Sequence, residues 1–589
     1  MNQDFLFARW REKTARTTAR PSLLGTRHMA VAGHYHAAHA AFAILEAGGN
    51  AVDAGCAAGL ALGVLIPDIV NVAGVAPILI KMADRAEVIS ISGLGTWPRA
   101  ASVEFFQRNH GGRIPMGVLR TVVPAAPAAW IKALEHFGTM SFGDIAAAAI
   151  RFAEEGFPTP PLMADLIAEH TADYARWPSS AAVYLPGGRA PRTGEIFRQA
   201  DLARTLRHMV DQERAAAARG GRKAGLAAAR DAFYRGDIAA AILRTQREHD
   251  GLMTAEDLSG FEPEIETAAS TRFGDIDVHS CGPWCQGPAL LQAVNLLDAA
   301  ALRGLGHNSP DYVHVVTEAL KLAFADREKH YGDPRFVDVP LDGLLSADYA
   351  ARRRALIRMD RAWPGLPPAG DPRTMTAEVP WTTLPPPTPT PARAAKDTSY
   401  ACVVDRWGNV FSATPSDSSY DGVVVPGTGL TPSTRGSQSR VDAAHPSSVA
   451  GGKRPRLTPS PAIAIAPGRF AMPFGTPGGD VQIQAMLQVF LNIVAFGMDP
   501  QEAVEAPRFA SASFPDSFAP HAYHPGRLAI EQRLAARIGE PLAARGHQVV
   551  EWPDGVWRAG SICTIVHDIR TGLLAAGADP RRVSYATGW

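Results

Sequence analysis

The sequence predicts a layered α+β protein rather than a doubly wound parallel sheet, and three observations carry that prediction. Helical and strand-like sequence come in separate runs: residues 29–65 and 117–360 read chiefly as helix, and residues 399–414 and 462–474 read as hairpins. A stretch over 361–396 is rich in proline and has neither a helical nor a strand period. Order resumes abruptly at Asp397.

In chain order, residues 1–25 are charged and read as a flexible arm. From Met29 the composition turns alanine-rich, and Glu46-Ala47-Gly48-Gly49-Asn50 stops a first helix at its glycines. Ala51 to Leu65 is almost wholly apolar, which implies a helix buried on most faces. Residues 77–92 alternate as short strands. Turn signals such as Asp257-Leu258-Ser259-Gly260 punctuate the helical region, and Tyr312 to His330 reads as an amphipathic helix. Beyond the proline-rich stretch, Ser399 to Asp405 is a strand, residues 406–409 a turn and Val410 to Thr414 the returning strand. A second hairpin spans Ala462 to Phe474 about Pro467-Gly468. Gly475-Thr476-Pro477-Gly478-Gly479-Asp480 then leads into a helix with Ile483, Met486, Leu487, Phe490 and Val494 on one face. The expected division is an arm over 1–25, a first part over 26–360, a linker over 361–397 and a second part over 398–589.

Composition narrows the function. The 589 residues are 46% apolar and 20% charged, the proportions of an ordinary globular protein. Lys plus Arg and Asp plus Glu are both 58, so there is no net basic charge with which to displace counterions from a nucleic acid. Five cysteines without paired spacing suggest neither a disulfide framework nor zinc. The N-terminus lacks an apolar secretory core and no run is long enough to span a membrane, so a cytoplasmic location is expected.

The strongest chemical feature is Asp397-Thr398, a hydroxyl residue at the head of a strand directly after a structureless stretch. Breaking that bond would give Thr398 a free α-amine beside its own hydroxyl. An α-amine has an intrinsic pKa of about 7.7–8.0, so nucleophile and base would come from one residue. Gly478 and Gly479 precede a helix, where unobstructed backbone N–H groups suit the oxyanion of an acyl intermediate. On its own, each feature is also what an ordinary strand edge or a tight turn looks like. The cluster His34, His36 and His39 has no acidic or cysteine partner nearby, so no metal or other cofactor is expected. Asp417 to Gly422 copies the start of a calcium loop, but Thr428 stands where glutamate is required.

Taken together and in order, these pieces resemble the γ-glutamyltranspeptidase family of Ntn-hydrolases, in its divergent, acylase-like branch. The resemblance runs from Met29 to Trp589. It rests on Glu46 to Ala54, Phe233-Tyr234-Arg235-Gly236, Leu252 to Leu258, Glu318-Ala319 through Asp326-Arg327, Asp397-Thr398, Lys453-Arg454-Pro455, Gly475 to Gly479 and Ala578-Asp579-Pro580-Arg581. It implies a four-layer αββα sandwich built from a large and a small subunit of one precursor. Autocleavage would fall between Asp397 and Thr398, with Thr398 as nucleophile. Ser416 would support the new amine, and Gly478 and Gly479 would hold the oxyanion.

The departures bear on substrate. Where the family holds the α-carboxylate of glutamate with an arginine, this chain reads Ser92 to Pro98 without one. Leu457-Thr458 replaces a Ser-Ser pair, so Thr458 is the hydroxyl left for substrate there, and Ser433 to Ser437 replaces an acidic segment. A zwitterionic substrate needs a buried cation and anion as partners, or its charges go unpaired at about several kcal/mol. Arg435 is the candidate cation. The expectation is a self-processing amidohydrolase acting on a small-molecule amide, its two fragments staying together, with a dimer of such pairs left open. The alternatives are a true γ-glutamyl hydrolase or transferase with non-standard ligands, and an unprocessed, non-catalytic homologue.

Overall fold

The computed structural model describes residues 18–376 and 397–589. Two seven-stranded antiparallel sheets form its centre. In chain order their strands are β1 (Leu23–Gly25), β2 (Met29–Ala32), β3 (Ile78–Lys81), β4 (Ile89–Ile91), β5 (Ile265–Thr267), β6 (Ala269–Phe273), β7 (Ile276–Ser280), β8 (Ala401–Val404), β9 (Val410–Ala413), β10 (Ala462–Ala466), β11 (Phe470–Gly475), β12 (Cys563–Asp568), β13 (Leu574–Ala578) and β14 (Tyr585–Gly588). One sheet runs β1-β13-β12-β11-β10-β7-β6, the other β14-β2-β8-β9-β3-β4-β5.

Strand alternation builds the layers. On β8, Cys402 and Val404 face the other sheet, meeting Ile463, Cys563 and Ile565 in an inter-sheet core. Ala401 and Val403 point the opposite way, into a core shared with α1 (Tyr35–Glu46) and α2 (Ala51–Leu65). On β10 the same period of two sends Ala462 and Ala464 to a third core. There they meet α3 (Gly287–Asn295), α4 (Pro310–His330) and α5 (Gln482–Val494). Three cores between four layers make the αββα sandwich.

The helix α2 is buried at every position, as its apolar run predicts. Its start is held twice over. Asn50 Oδ1 accepts from Val52 N and Asp53 N at 2.9 and 3.1 Å, and Asp53 returns the bond to Asn50 N at 2.9 Å. Asp405, in the β8–β9 turn, also accepts from Ala51 N at 2.8 Å, which places a carboxylate at a helix N-terminus. The turn that follows Thr398 by a few residues is thereby anchored to the helical layer.

Chain segments before and after the proline-rich stretch interleave in both sheets. β2 lies between β14 and β8, and β7 beside β10. Cutting the chain near residue 397 therefore leaves each fragment hydrogen-bonded along strand edges of the other.

Several expectations are corrected. Residues 18–25 are not a free arm: Ala19 N donates to Glu505 at 2.6 Å and β1 pairs with β13, while residues 1–17 lie outside the described residues. The linker does not begin at 361, because Trp363 and Leu366 are buried and Leu366 N donates to the Tyr523 hydroxyl at 2.7 Å. Of the expected linker, 377–396 lie outside the described residues. The region 117–360, expected as mainly helix, also contains the strands β5 to β7. Finally, α4 is not amphipathic in place: Glu318, Lys321, Asp326 and Arg327 face inward and are paired. Among the described residues no helix is long and apolar enough to cross a membrane.

Candidate active site

Asp397 and Thr398 sit just ahead of β8, both about 1% exposed. A bridge between Thr398 and Ser416 prolongs the β8–β9 hairpin by a rung, and Ser399 N donates to Pro415 O at 3.0 Å. Ser416 is held from its other side by Val75, whose carbonyl accepts from Ser416 N at 3.0 Å. That approach needs Gly74, since a Cβ there would lie 2.3 Å from the Ser416 carbonyl oxygen.

The Ser416 hydroxyl has one proton and two lone pairs, and the structure assigns all three. Its Oγ lies 3.0 Å from the Asp397 carbonyl oxygen, which can only accept. The guanidinium of Arg435, which can only donate, points Nη2 at the same oxygen. The remaining lone pair therefore accepts from Thr398 Oγ at 2.8 Å. One residue thus takes the hydrogen bond of the nucleophile and polarises the carbonyl of the bond to be cut. Arg435 is buried and is steered by Asp417, whose Oδ1 lies 3.4 Å from its Nε. Asp417 adopts a left-handed φ of 140° and accepts from Ser433 Oγ at 2.6 Å. Arg435, expected as a carboxylate ligand for substrate, is in the uncut chain a ligand of Ser416; among the described residues its Nη1 has no hydrogen-bond partner.

The other face of Thr398 opens on a cavity of about 240 Å³, lined also by Ser399, Asp68, Pro477 and Arg582. Asp397 reaches towards Arg582, Oδ2 to Nη2 being 2.5 Å, while its Oδ1 accepts from Thr398 N at 2.8 Å. Burial pushes the Asp397 carboxyl up, against the pull of Arg582. Asp68 is 3% exposed, and among the described residues neither carboxyl oxygen meets a hydrogen-bond partner from another residue. Burial raises it to about 7; the Asp397 carboxylate adds to the rise, while its own backbone N–H and Arg582 oppose it. Tyr174 and Tyr184 pack near it as well.

An unfolded aspartate loses its proton near 3.9, whereas folded Asp68 keeps it to about 7. Stability from this group is full below the unfolded value, falls as pH rises through 7, and is flat above, with a ceiling of about 4 kcal/mol. Asp68→Asn is expected to raise the unfolding temperature at pH 8 and to raise it only about a third as much at pH 5. Equal gains at both pH values would show that the carboxyl titrates normally.

Gly478 and Gly479 take φ of 124° and 56°, which side chains rarely adopt. They follow Pro477, which lines the Thr398 cavity. Gln286 Nε2 donates to the Gly479 carbonyl at 3.0 Å and to that of Thr458 at 2.8 Å. Gln286 is oriented by Arg327 at 2.9 Å, and Arg327 also pairs with Asp480. Among the described residues no acceptor takes the N–H of Gly478 or Gly479, so the turn is pinned by its carbonyls with its amides free. Thr458 Oγ1 accepts from Gln438 Nε2 at 2.9 Å, and no bond ties it to Thr398.

Of the expected residues, Asp397, Thr398, Ser416 and Arg435 form one hydrogen-bonded cluster; the glycine pair and Thr458 form a second, joined through Gln286. Arg582, Asp68 and Gln286 were not expected. His34 caps α1, its Nδ1 accepting from His36 N at 3.1 Å, and the five cysteines are free and buried.

Comparison with known proteins gives the chain's family and fold relatives. The family model described as Gamma-glutamyltranspeptidase matches residues 37–589. The chain is 31% identical over 577 residues to an acylase ACY 1 proenzyme of Pseudomonas sp. (strain SE83), covering 96% of this chain and 94% of that one. Among solved structures, LmbA2991HD is 37% identical at a TM-score of 0.89, covering 98% and 100% of the two chains. The cephalosporin acylase from Bacillus halodurans is 29% identical at 0.80, covering 98% of each.

Proposed function

The chain belongs to the gamma-glutamyltranspeptidase family of self-processing Ntn-hydrolases, and from that premise we propose that Thr398 is its nucleophile and that its specificity is of the acylase type. The protein is an amidohydrolase made as a proenzyme. What is proposed is which residues perform the reaction and on what.

In the uncut chain, Thr398 Oγ attacks the Asp397 carbonyl carbon while its proton passes to Ser416, which gives up its own proton to the nitrogen as the C–N bond breaks. Ser416, backed by the Arg435 guanidinium on its Oγ, offsets the negative charge that grows on the carbonyl oxygen. The C–N bond breaks, the nitrogen leaves as the α-amine of Thr398, and an ester joins Asp397 to Oγ. Water cleaves the ester, leaving a carboxyl at Asp397 and a free hydroxyl and amine on Thr398. In the cut enzyme the amine takes the Oγ proton as Oγ attacks a substrate amide. The free N–H groups of Gly478 and Gly479 receive the oxyanion, the amine product leaves with the proton, and water releases the acid.

The observation that carries the reading is the chain of hydrogen bonds from Thr398 Oγ through Ser416 Oγ to the scissile carbonyl. Acylase-type specificity is favoured by the relatives and by the missing arginine near Ser92. A second reading, γ-glutamyl hydrolysis or transfer, is favoured by the unpartnered Asp68 carboxyl, which offers a partner to an α-ammonium group. The experiment takes intact masses of the purified protein and then compares glutaryl- with γ-glutamyl-p-nitroanilide. Expected are fragments 1–397 and 398–589, and faster turnover of the glutaryl compound. Strict dependence on the α-amino group would move the assignment to the second reading.

A further inference from the structure

We propose that Arg582 is the carboxylate-recognising residue of the acyl pocket, and that Asp397 occupies it in the precursor, so that self-processing unmasks the specificity site. This rests on Thr398 as nucleophile.

Arg582 is poised for a ligand it does not yet have. Its side chain is about 5% exposed. Nη2 is shared between the Asp397 carboxylate and the Trp557 carbonyl at 3.2 Å, and the guanidinium carbon lies 5.3 Å from the Trp557 ring. Among the described residues Nε and Nη1 have no hydrogen-bond partner. The same cavity holds Thr398 and is walled by Ile66, Ile69, Pro160, Leu162 and Met163. A planar fork with free N–H groups at the end of an apolar pocket matches a carboxylate on a short carbon chain.

The precursor shows how long that chain is. Asp397 is the acyl donor of self-processing: its carbonyl carbon ends on Thr398 Oγ. At the ester stage Thr398 carries an acyl group whose carboxylate, two carbons beyond the carbonyl, rests against Arg582. That is the spacing of a succinyl ester. Hydrolysis then gives the buried Asp397 a second negative charge beside a cavity lined by Asp68, which favours its departure. Its loss leaves a buried guanidinium without its counter-ion, and a carboxylate on the incoming acyl group restores it. The substrate class is therefore monoamides of short dicarboxylic acids. Arg435, the cation the sequence suggested for this task, is held by Ser416 and Asp417.

The test uses the processed full-length protein with succinyl- and butyryl-p-nitroanilide, which have the same chain length and differ in charge. The wild type is expected to favour the succinyl compound in kcat/KM. Arg582→Gln is expected to lower the succinyl-to-butyryl ratio by about 100-fold, and Arg582→Lys by less, because an ammonium keeps the charge and loses the fork. A ratio unchanged in Arg582→Gln overturns the proposal. Should that variant remain uncut, inhibition of the wild type decides: succinate is expected to compete at least about tenfold more tightly than butyrate, and equal inhibition overturns the proposal. The mass of the small fragment separates this from failure of the underlying reading, since a fragment that does not start at Thr398 removes the nucleophile itself.

Discussion

Replacing Thr398 by alanine leaves a single 62.7 kDa chain that never separates into fragments and turns over no amide. The expectation follows from the absence of any substitute for Oγ. The hydroxyl that Ser416 accepts from is that of Thr398, and Ser416 itself stands on the carbonyl oxygen, where it is placed to donate. An unassisted peptide bond does not hydrolyse on the timescale of a preparation, so no slow residual cut should appear. Thr398→Ser keeps the hydroxyl and loses the methyl that restricts χ1, and should process more slowly to the same fragments. Thr398→Cys should also cut, because a thiol is an intrinsically stronger nucleophile. The measurement is intact mass against time for the three variants. A Thr398→Ala chain cut after Asp397 would sink the assignment outright.

How far this site could be read without coordinates differs residue by residue. Asp397-Thr398 was legible because a change of composition marks it: proline-rich sequence gives way to a strand within one residue. The layers were legible where one face of a strand or helix is apolar, as in β8, β10 and α2. Strands β5 to β7 were not, because residues such as Glu266, Arg272 and Asp277 leave one face polar and the runs are only three to five residues long. Residues 361–376 misled for the opposite reason. Their proline content suggests a linker, yet Trp363 and Leu366 anchor them to the body. Arg582 could not be found from local pattern at all. It stands near the far end of the chain and meets Asp397 only because β2, β8 and β14 assemble into one sheet. Asp68 lay hidden in an apolar run, where a single carboxyl reads as a loop residue.

Ser416 is where the two halves of the mechanism come apart, and Ser416→Ala is expected to slow self-processing by about 10²–10³-fold, the usual cost of removing one oxyanion donor. Alanine removes the acceptor for the Thr398 proton as well as the donor to the Asp397 carbonyl, and it leaves Arg435 facing an apolar methyl with Asp417 as its remaining partner. Ser416→Thr keeps the hydroxyl and should recover most of the rate. Once the chain is cut, the carbonyl that Ser416 polarised is gone, and the oxyanion of a substrate falls to Gly478 and Gly479. The same variant, allowed to process to completion, should therefore lose less in kcat than it lost in the rate of cutting. Pulse-chase mass measurement gives the first quantity and p-nitroanilide turnover the second. Cutting at the wild-type rate in Ser416→Ala would show that the hydrogen bonds of Ser416 do not carry the proton. Equal losses in both quantities would instead assign Ser416 to the turnover machinery, with the glycine amides as its partners rather than its replacement.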